Sequence, residues 1–154
     1  AGWTVRCIGR EEQGVLPMTW TFERRFTDGG VLEAGYRGGW FHPGTGYSLP
    51  VAARLAEAVA GADLDEIRTR GLPGLRREHD RQSRYCHVLN RFLFQWYPPN
   101  MRWHIFARFY RMPLPLIRRF YALRMNRSDQ ARLLVGRPPR GLSLRYRMAV
   151  GGIS

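Results

Sequence analysis

Residues 35–50 read GYRGGWFHPGTGYSLP, a segment dense in glycine that ends where a helical pattern begins. Glycine permits positive φ angles and close approach of a ligand to the backbone, at a cost in folding entropy. Such a segment can form an anion site where a strand ends in glycines, turns and meets the open N-terminus of a helix. The free N–H groups and the helix dipole there favour negative charge. A tight strand-to-helix turn with a helix cap explains the same pattern equally well. The residues alone leave both interpretations open.

The segments before this stretch predict β-strands, and the segments after it predict helices. Residues 3–18 contain β-formers and leave through Gly-Val-Leu-Pro, and a second short strand is expected over 31–40. An apolar stripe at helical spacing predicts a helix over 47–60, with Ser48 as N-cap, Pro50 in the first turn and Gly61 at its end. The expected fold class is therefore α/β, with a few strands leading into a mostly helical C-terminal half.

The second half reads as a series of helices separated by glycine and proline. The predicted ranges are 63–70, 75–97, 100–111, 116–125 and a last short helix that Ser128 opens and that ends at Gly136. This organisation predicts three parts: residues 1–61 with the strands, turn and first helix, a basic helical region over 62–139, and an irregular tail over 140–154.

Positive charge is concentrated in that second half. All 25 basic residues of the chain are arginine, and 17 of them follow Leu75 together with only 3 acidic residues. Such a surface faces or tolerates something anionic. The segment 91–125 interleaves these arginines with aromatic residues, which suits a helical core layer, a surface resting on anionic lipid, or a nucleic-acid face. Rings on the apolar side of an amphipathic pattern argue against the nucleic-acid alternative, because stacking platforms need exposed rings.

Few other side chains suggest chemistry. His42 is expected to be a hydrogen-bonded structural histidine rather than a base or metal ligand, and no metal site is expected. Glu11 and Glu12 point to opposite faces of a strand, so at most one of them can enter a cleft as a general acid. A solvated edge paired with Arg10 is the ordinary explanation. Cys7 and Cys86 suggest reduced thiols, and no apolar run is long enough to span a membrane.

Several segments together resemble the C-terminal half of bacterial flavin-dependent lycopene β-cyclases of carotenoid biosynthesis. In chain order they are REEQGVLPM, GYRGGWFHPGTGYSLPVAARLA, LNRFLF, RFYRMPLPLIRRFYA and ARLLVGRPP. The similarity extends from about Glu11 to Pro139. The chain departs from the family pattern at Gly44, where threonine is usual, and at Leu114, where an acidic residue is common.

The resemblance implies a Rossmann-type FAD-binding fold and a site for the cofactor. In the family, the segment like 35–53 lies against the pyrophosphate and isoalloxazine ends of the flavin. The residues that this assigns to the cofactor are Gly38, Gly39, Pro43, Gly44, Thr45, Gly46, Tyr47 and Ser48.

The resemblance also implies an activity, a substrate and a location. Reduced FAD is required, with NAD(P)H as the reductant, while an acid protonates a terminal double bond of lycopene and the carbocation closes to a β-ionone ring. Glu12 is the candidate acid within this chain, although the main acid and the GxGxxG motif are expected upstream of Ala1. The expected location is cytoplasmic, peripheral on the inner face of the bacterial plasma membrane. A fragment of this kind is not expected to bind FAD tightly or to cyclise lycopene alone.

The alternative function is that of a non-enzymatic basic domain that binds nucleic acid or anionic membrane.

Overall fold

The structure is a computed structural model that describes residues 6, 7, 9–14, 18, 19 and 31–135, apart from the side chain of Glu66. Within these residues the secondary structure is helical. The helices are α1 (Leu49–Gly61), α2 (Leu64–Arg70), α3 (Pro73–Arg91), α4 (Arg102–Phe109), α5 (Leu114–Tyr121) and α6 (Arg127–Leu134). A π-helical segment, Phe92–Trp96, and a 3₁₀ turn, Pro99–Met101, connect α3 to α4.

The expected second strand is wrong, because residues 34–40 satisfy their backbone groups locally. The N–H groups of Gly38, Gly39 and Trp40 donate to the carbonyls of Ala34, Tyr36 and Gly35 respectively, at 2.8–3.3 Å. Backbone groups used in tight turns cannot form a strand ladder.

The first expected strand, 3–18, lies mostly outside the described residues, and its described part is irregular. The described part of the chain therefore contains no strand, and the α/β class is replaced there by a mostly helical one. The tail predicted over 140–154 also lies outside the described residues.

Helix boundaries follow local capping chemistry. Ser48 is the N-cap residue of α1, as the sequence predicts, but its side chain makes no capping hydrogen bond, and the helix continues through Gly61. The predicted helix over 75–97 instead starts at Pro73 and widens into the π-helical segment before Pro98. The prediction that Ser128 opens the last helix is wrong. Asn126 caps α6 through a reciprocal capping box with Asp129, since an amide oxygen at that position reaches the N–H three residues on.

The core joins the glycine-rich turn to α1, α3 and the segment after α5. Its buried apolar residues are Trp40, Val51, Leu55, Cys86, Leu123 and Met125. These residues come from both sides of the predicted boundary at 61/62, and the division into three parts stays a prediction.

Candidate functional site

The glycine-rich turn, residues 35–48, has a structural reason for each of its glycines. Gly35, Gly39 and Gly46 have φ angles of 58°, 72° and 72°, in the left-handed region that other residues avoid. A Cβ at Gly38 would collide with the Glu33 carbonyl, and one at Gly44 would lie 3.2 Å from His42 Cε1. The density of glycine therefore does not by itself require a ligand.

Helix α3 holds the carbonyl groups of this turn. The Arg76 guanidinium donates to the Gly38 carbonyl at 2.9 Å, and His79 Nε2 donates to the Gly39 carbonyl at 2.8 Å. About three turns after His79, the Asn90 amide donates to the Pro43 carbonyl at 2.9 Å. The turn is thus fixed from one side by donors on a single rigid helix.

His42 fixes the turn to α5. The Gly44 N–H donates to Nδ1 at 3.0 Å, so Nδ1 is unprotonated, and Nε2–H donates to the Phe120 carbonyl at 3.0 Å. The ring is fully buried. The sequence-based expectation of a hydrogen-bonded structural histidine is confirmed, because both ring nitrogens are engaged by the protein backbone.

Burial keeps two histidines of the site neutral. Desolvation lowers the pKa of His42 to about 4, against the opposing effect of its hydrogen bond to the Phe120 carbonyl. Desolvation likewise lowers the pKa of His79 to about 4, and the nearby Arg76 charge acts in the same direction. A neutral imidazole donates through one nitrogen only, which is the pattern that His42 shows.

The predicted cofactor residues fall on two sides of the turn. Gly38 and Pro43 are buried, and their carbonyls face α3, so they support the turn from behind. Gly39 is half-buried, but its carbonyl also faces α3. The outer, partly accessible residues of the predicted set are Gly44, Thr45, Gly46, Tyr47 and Ser48.

Most backbone donors of this outer part already have acceptors. The N–H groups of Thr45 and Gly46 donate to the His42 carbonyl, and that of Tyr47 donates to Thr45 Oγ1. Within the described part of the chain, no acceptor is found for the N–H groups of Ser48 and Leu49. Helix α1 starts there with no side-chain cap and no acidic residue in its first turn. The arrangement can therefore accept one anionic or carbonyl group at the α1 N-terminus.

Aromatic rings surround the outer side of the turn. Tyr36 stacks on Phe41 at 4.7 Å between centroids, and its hydroxyl donates to the Gly46 carbonyl. Tyr47 meets the ring of Tyr121, the last residue of α5, edge-on at 6.2 Å. Aromatic rings therefore form part of the accessible surface beside the α1 N-terminus.

One face of α4 is apolar and exposed. Trp103, Phe106 and Tyr110 recur at spacings of three and four residues, and they are 61%, 47% and 60% exposed. Leu114, at the start of α5, is 56% exposed. These four residues are called the α4 face below. Three aromatic rings exposed together are unusual for a solvated surface and are typical of an interaction site.

The candidate acid Glu12 lies in an exposed ion pair with Arg10, with 70% of its side chain accessible. This is the arrangement expected of a solvated edge; the catalytic role of Glu12 stays a prediction. Among the described residues, no group of three or more His, Cys, Asp or Glu side chains could hold a metal ion, and no helix is long and apolar enough to cross a membrane.

Sequence reasoning missed the polar buried face of α3. His79, Gln82, Ser83 and Asn90 are all buried. A search for apolar periodicity passes over such a face. The signal was present, however, because these neutral polar residues repeat at helical spacing.

Comparison with known proteins gives this geometry a family. A family model described as "Lycopene cyclase protein" matches residues 1–147. The chain belongs to the lycopene cyclase family. Among its relatives, a lycopene beta-cyclase of Pseudescherichia vulneris is 40% identical over 156 residues, covering 97% of this chain and 40% of the relative. A lycopene beta-cyclase of Paracoccus sp. (strain N81106 / MBIC 01143) is 41% identical, covering 90% of this chain and 37% of the relative.

A third lycopene cyclase relative, the lycopene beta-cyclase of Pantoea ananas, is 37% identical over 90% of this chain and 37% of its own length. The chain thus spans about two fifths of the length of the curated relatives it matches. No solved structure matches the chain.

Proposed function

We propose that this chain is part of a lycopene β-cyclase that converts the end groups of lycopene to β-ionone rings in carotenoid biosynthesis. The observation that supports it most directly is the family match over residues 1–147, with relatives that carry this name at 37–41% identity. The chain contributes the glycine-rich turn and the helical unit behind it. Other parts of the site belong to the remainder of the enzyme.

The reaction is an isomerisation, since no atom is gained or lost. A carboxylic acid protonates a terminal double bond, a neighbouring double bond supplies the electron pair that closes the ring, and a proton leaves the resulting carbocation. Such a cation needs an apolar surrounding with aromatic faces near it. The aromatic rings beside the α1 N-terminus, with Tyr47 and Tyr121 foremost, supply surfaces of that kind.

The cofactor proposed for this enzyme is FAD in its reduced form, with NAD(P)H as reductant, bound by a Rossmann-type domain. When bound, reduced flavin supplies negative charge or a proton near the carbocation. In this chain the Ser48 and Leu49 N–H groups would hold one polar end of it, and Gly44, Thr45, Gly46 and Tyr47 would lie along it. Arg76, His79 and Asn90 would keep the turn in place from behind.

Lycopene is a long hydrocarbon that dissolves in the bilayer, so the enzyme is proposed to lie peripherally on the inner face of the bacterial plasma membrane. The α4 face supports this, because tryptophan and tyrosine prefer the lipid interface and Arg111 and Arg118 are exposed near it. The exposed rings of the α4 face weaken the sequence argument against nucleic-acid binding, which placed the aromatic rings on the buried, apolar side. The membrane experiment must therefore distinguish binding to lipid from binding to nucleic acid.

The test of the activity uses the complete coding sequence that contains this chain. Expressed in bacteria that accumulate lycopene, it should convert the red pigment to cyclic products, and the purified protein should be yellow from bound flavin. The matched variant is Gly46→Val, which places a β-branched residue at φ 72° in the turn. It should reduce both flavin content and cyclic product. An unchanged pigment profile with the parent protein would reject the proposal.

A further inference from the structure

Tyr110 belongs to two features of the molecule at once. It is the last aromatic residue of the α4 face, and its hydroxyl lies 2.7 Å from the Tyr121 hydroxyl. Tyr121 in turn contacts the ring of Tyr47 in the glycine-rich turn, with 6.2 Å between centroids. The three tyrosines, called the tyrosine track below, connect the exposed face of α4 to the turn without interruption.

The chemistry of the track suits a hydrocarbon. The hydroxyls of Tyr110 and Tyr121 pair with each other, so the ring faces and edges remain as the surface that a partner meets. Phe109 lies behind them, with its ring centroid 6.3 Å from that of Tyr121, and it also packs against Phe120 at 4.8 Å. Rings supported in this way hold their orientation and offer a π surface for stacking.

The position of the track also matters. One end lies on the α4 face, where the proposed lipid contact is, and the other end lies beside the α1 N-terminus, where the proposed cofactor contact is. A substrate dissolved in lipid must travel between these two places. Aromatic surfaces along the way keep a hydrocarbon out of water during that transfer.

We propose that the tyrosine track guides the end group of a linear polyene hydrocarbon from the bilayer at the α4 face to the glycine-rich turn. This inference rests on the proposed function, because only a substrate that resides in lipid needs such a path. In this role the three tyrosines are positioning residues.

The experiment uses the complete flavin-loaded protein and lycopene incorporated in vesicles of phosphatidylglycerol and phosphatidylcholine. Tyr110→Ser removes one ring of the track at a position that is 60% exposed, so the fold should tolerate it. We expect kcat/KM to fall about tenfold through a higher KM, because a lost aromatic contact has that order of effect, with kcat at saturation and flavin content unchanged. Tyr110→Phe is the matched control: it keeps the ring, removes only the hydroxyl pair and should stay within about twofold of the parent.

The outcomes separate the track from the proposed function. A parent protein that does not cyclise lycopene rejects the proposed function and the track with it. A parent that does so, while Tyr110→Ser keeps its KM, rejects the track alone. Parallel losses of kcat, flavin content and melting temperature in Tyr110→Ser would also overturn the track, since they would show a structural role for the ring.

Discussion

His42 and His79 make the stability of the turn depend on pH. Both are neutral in the fold, with pKa values lowered to about 4 by burial. The unfolded chain binds protons at its histidines near pH 6.5, so between about pH 6.5 and 4 it holds more protons than the native state. Stability is therefore fully present above pH 6.5 and falls as pH decreases toward 4, by up to about 3 kcal/mol for each histidine.

The measurement is the melting temperature of the complete protein across that pH range. The double variant His42→Gln, His79→Gln should be less stable at pH 7 and should show a shallower decline toward pH 4. A decline as steep as that of the parent would show that other groups cause it.

Gly38 has no room for a side chain. An added Cβ would collide with the backbone of Glu33 and lie 2.7 Å from the Trp40 ring. Gly38→Ala should therefore destabilise the protein by an amount on the order of 2 kcal/mol, measured by chemical denaturation.

Gly61→Ala is the matched control for Gly38→Ala. Gly61 is the last residue of α1, and no atom lies within 4 Å of a Cβ added there. It should be neutral or stabilising by roughly 0.5–1 kcal/mol, because alanine loses less entropy on folding. Equal effects of the two substitutions would contradict the packing described for the turn.

Helix α6 depends on its capping box. The Asn126 side chain accepts from the Asp129 N–H at 2.8 Å, and Asp129, which also pairs with Arg119, accepts from the Asn126 N–H. Removal of the cap by Asn126→Ala should cost about 1 kcal/mol of unfolding free energy. Ser128→Ala removes a hydroxyl that only donates to Asn126 and should cost less than about 0.5 kcal/mol. The reverse order of the two effects would restore Ser128 as the cap.

The sequence predicts the existence of the helices better than it predicts where they begin and end. The approximate start of α1 follows from Ser48 and Pro50, whereas the start of α6 was misplaced because serine and asparagine both cap well. The strand predicted over 31–40 is wrong because β-propensity does not show that the N–H groups of this segment can donate to nearby carbonyls within a turn. The histidine and asparagine donors of α3 could not be assigned without knowing that the turn packs against that helix.

For the whole molecule, the testable property is adsorption to an anionic surface. The complete protein should sediment with vesicles of phosphatidylglycerol at low salt and less at high salt, since screening weakens the attraction of exposed arginines. Trp103→Ser with Phe106→Ser should reduce vesicle binding several-fold at constant charge, since it removes two exposed rings. Val59→Ser with Leu64→Ser, two exposed apolar residues outside the α4 face, is the control and should bind like the parent.

A contrasting arm uses single-stranded DNA in place of vesicles. The nucleic-acid alternative would be favoured by two results together. The protein would shift the electrophoretic mobility of the DNA in a salt-dependent way that Trp103→Ser with Phe106→Ser abolishes, and it would not bind vesicles. Vesicle binding by the Trp103→Ser, Phe106→Ser variant equal to that of the parent would show that the α4 face is covered by another part of the complete protein.

The contacts that hold the glycine-rich turn come from much later in the chain. Arg76 lies 38 residues after Gly38, and the Phe120 carbonyl that fixes His42 lies 78 residues after it. During synthesis on the ribosome the turn therefore emerges long before its supports. Residues 35–48 are therefore expected to reach their final geometry only when α5 has left the exit tunnel.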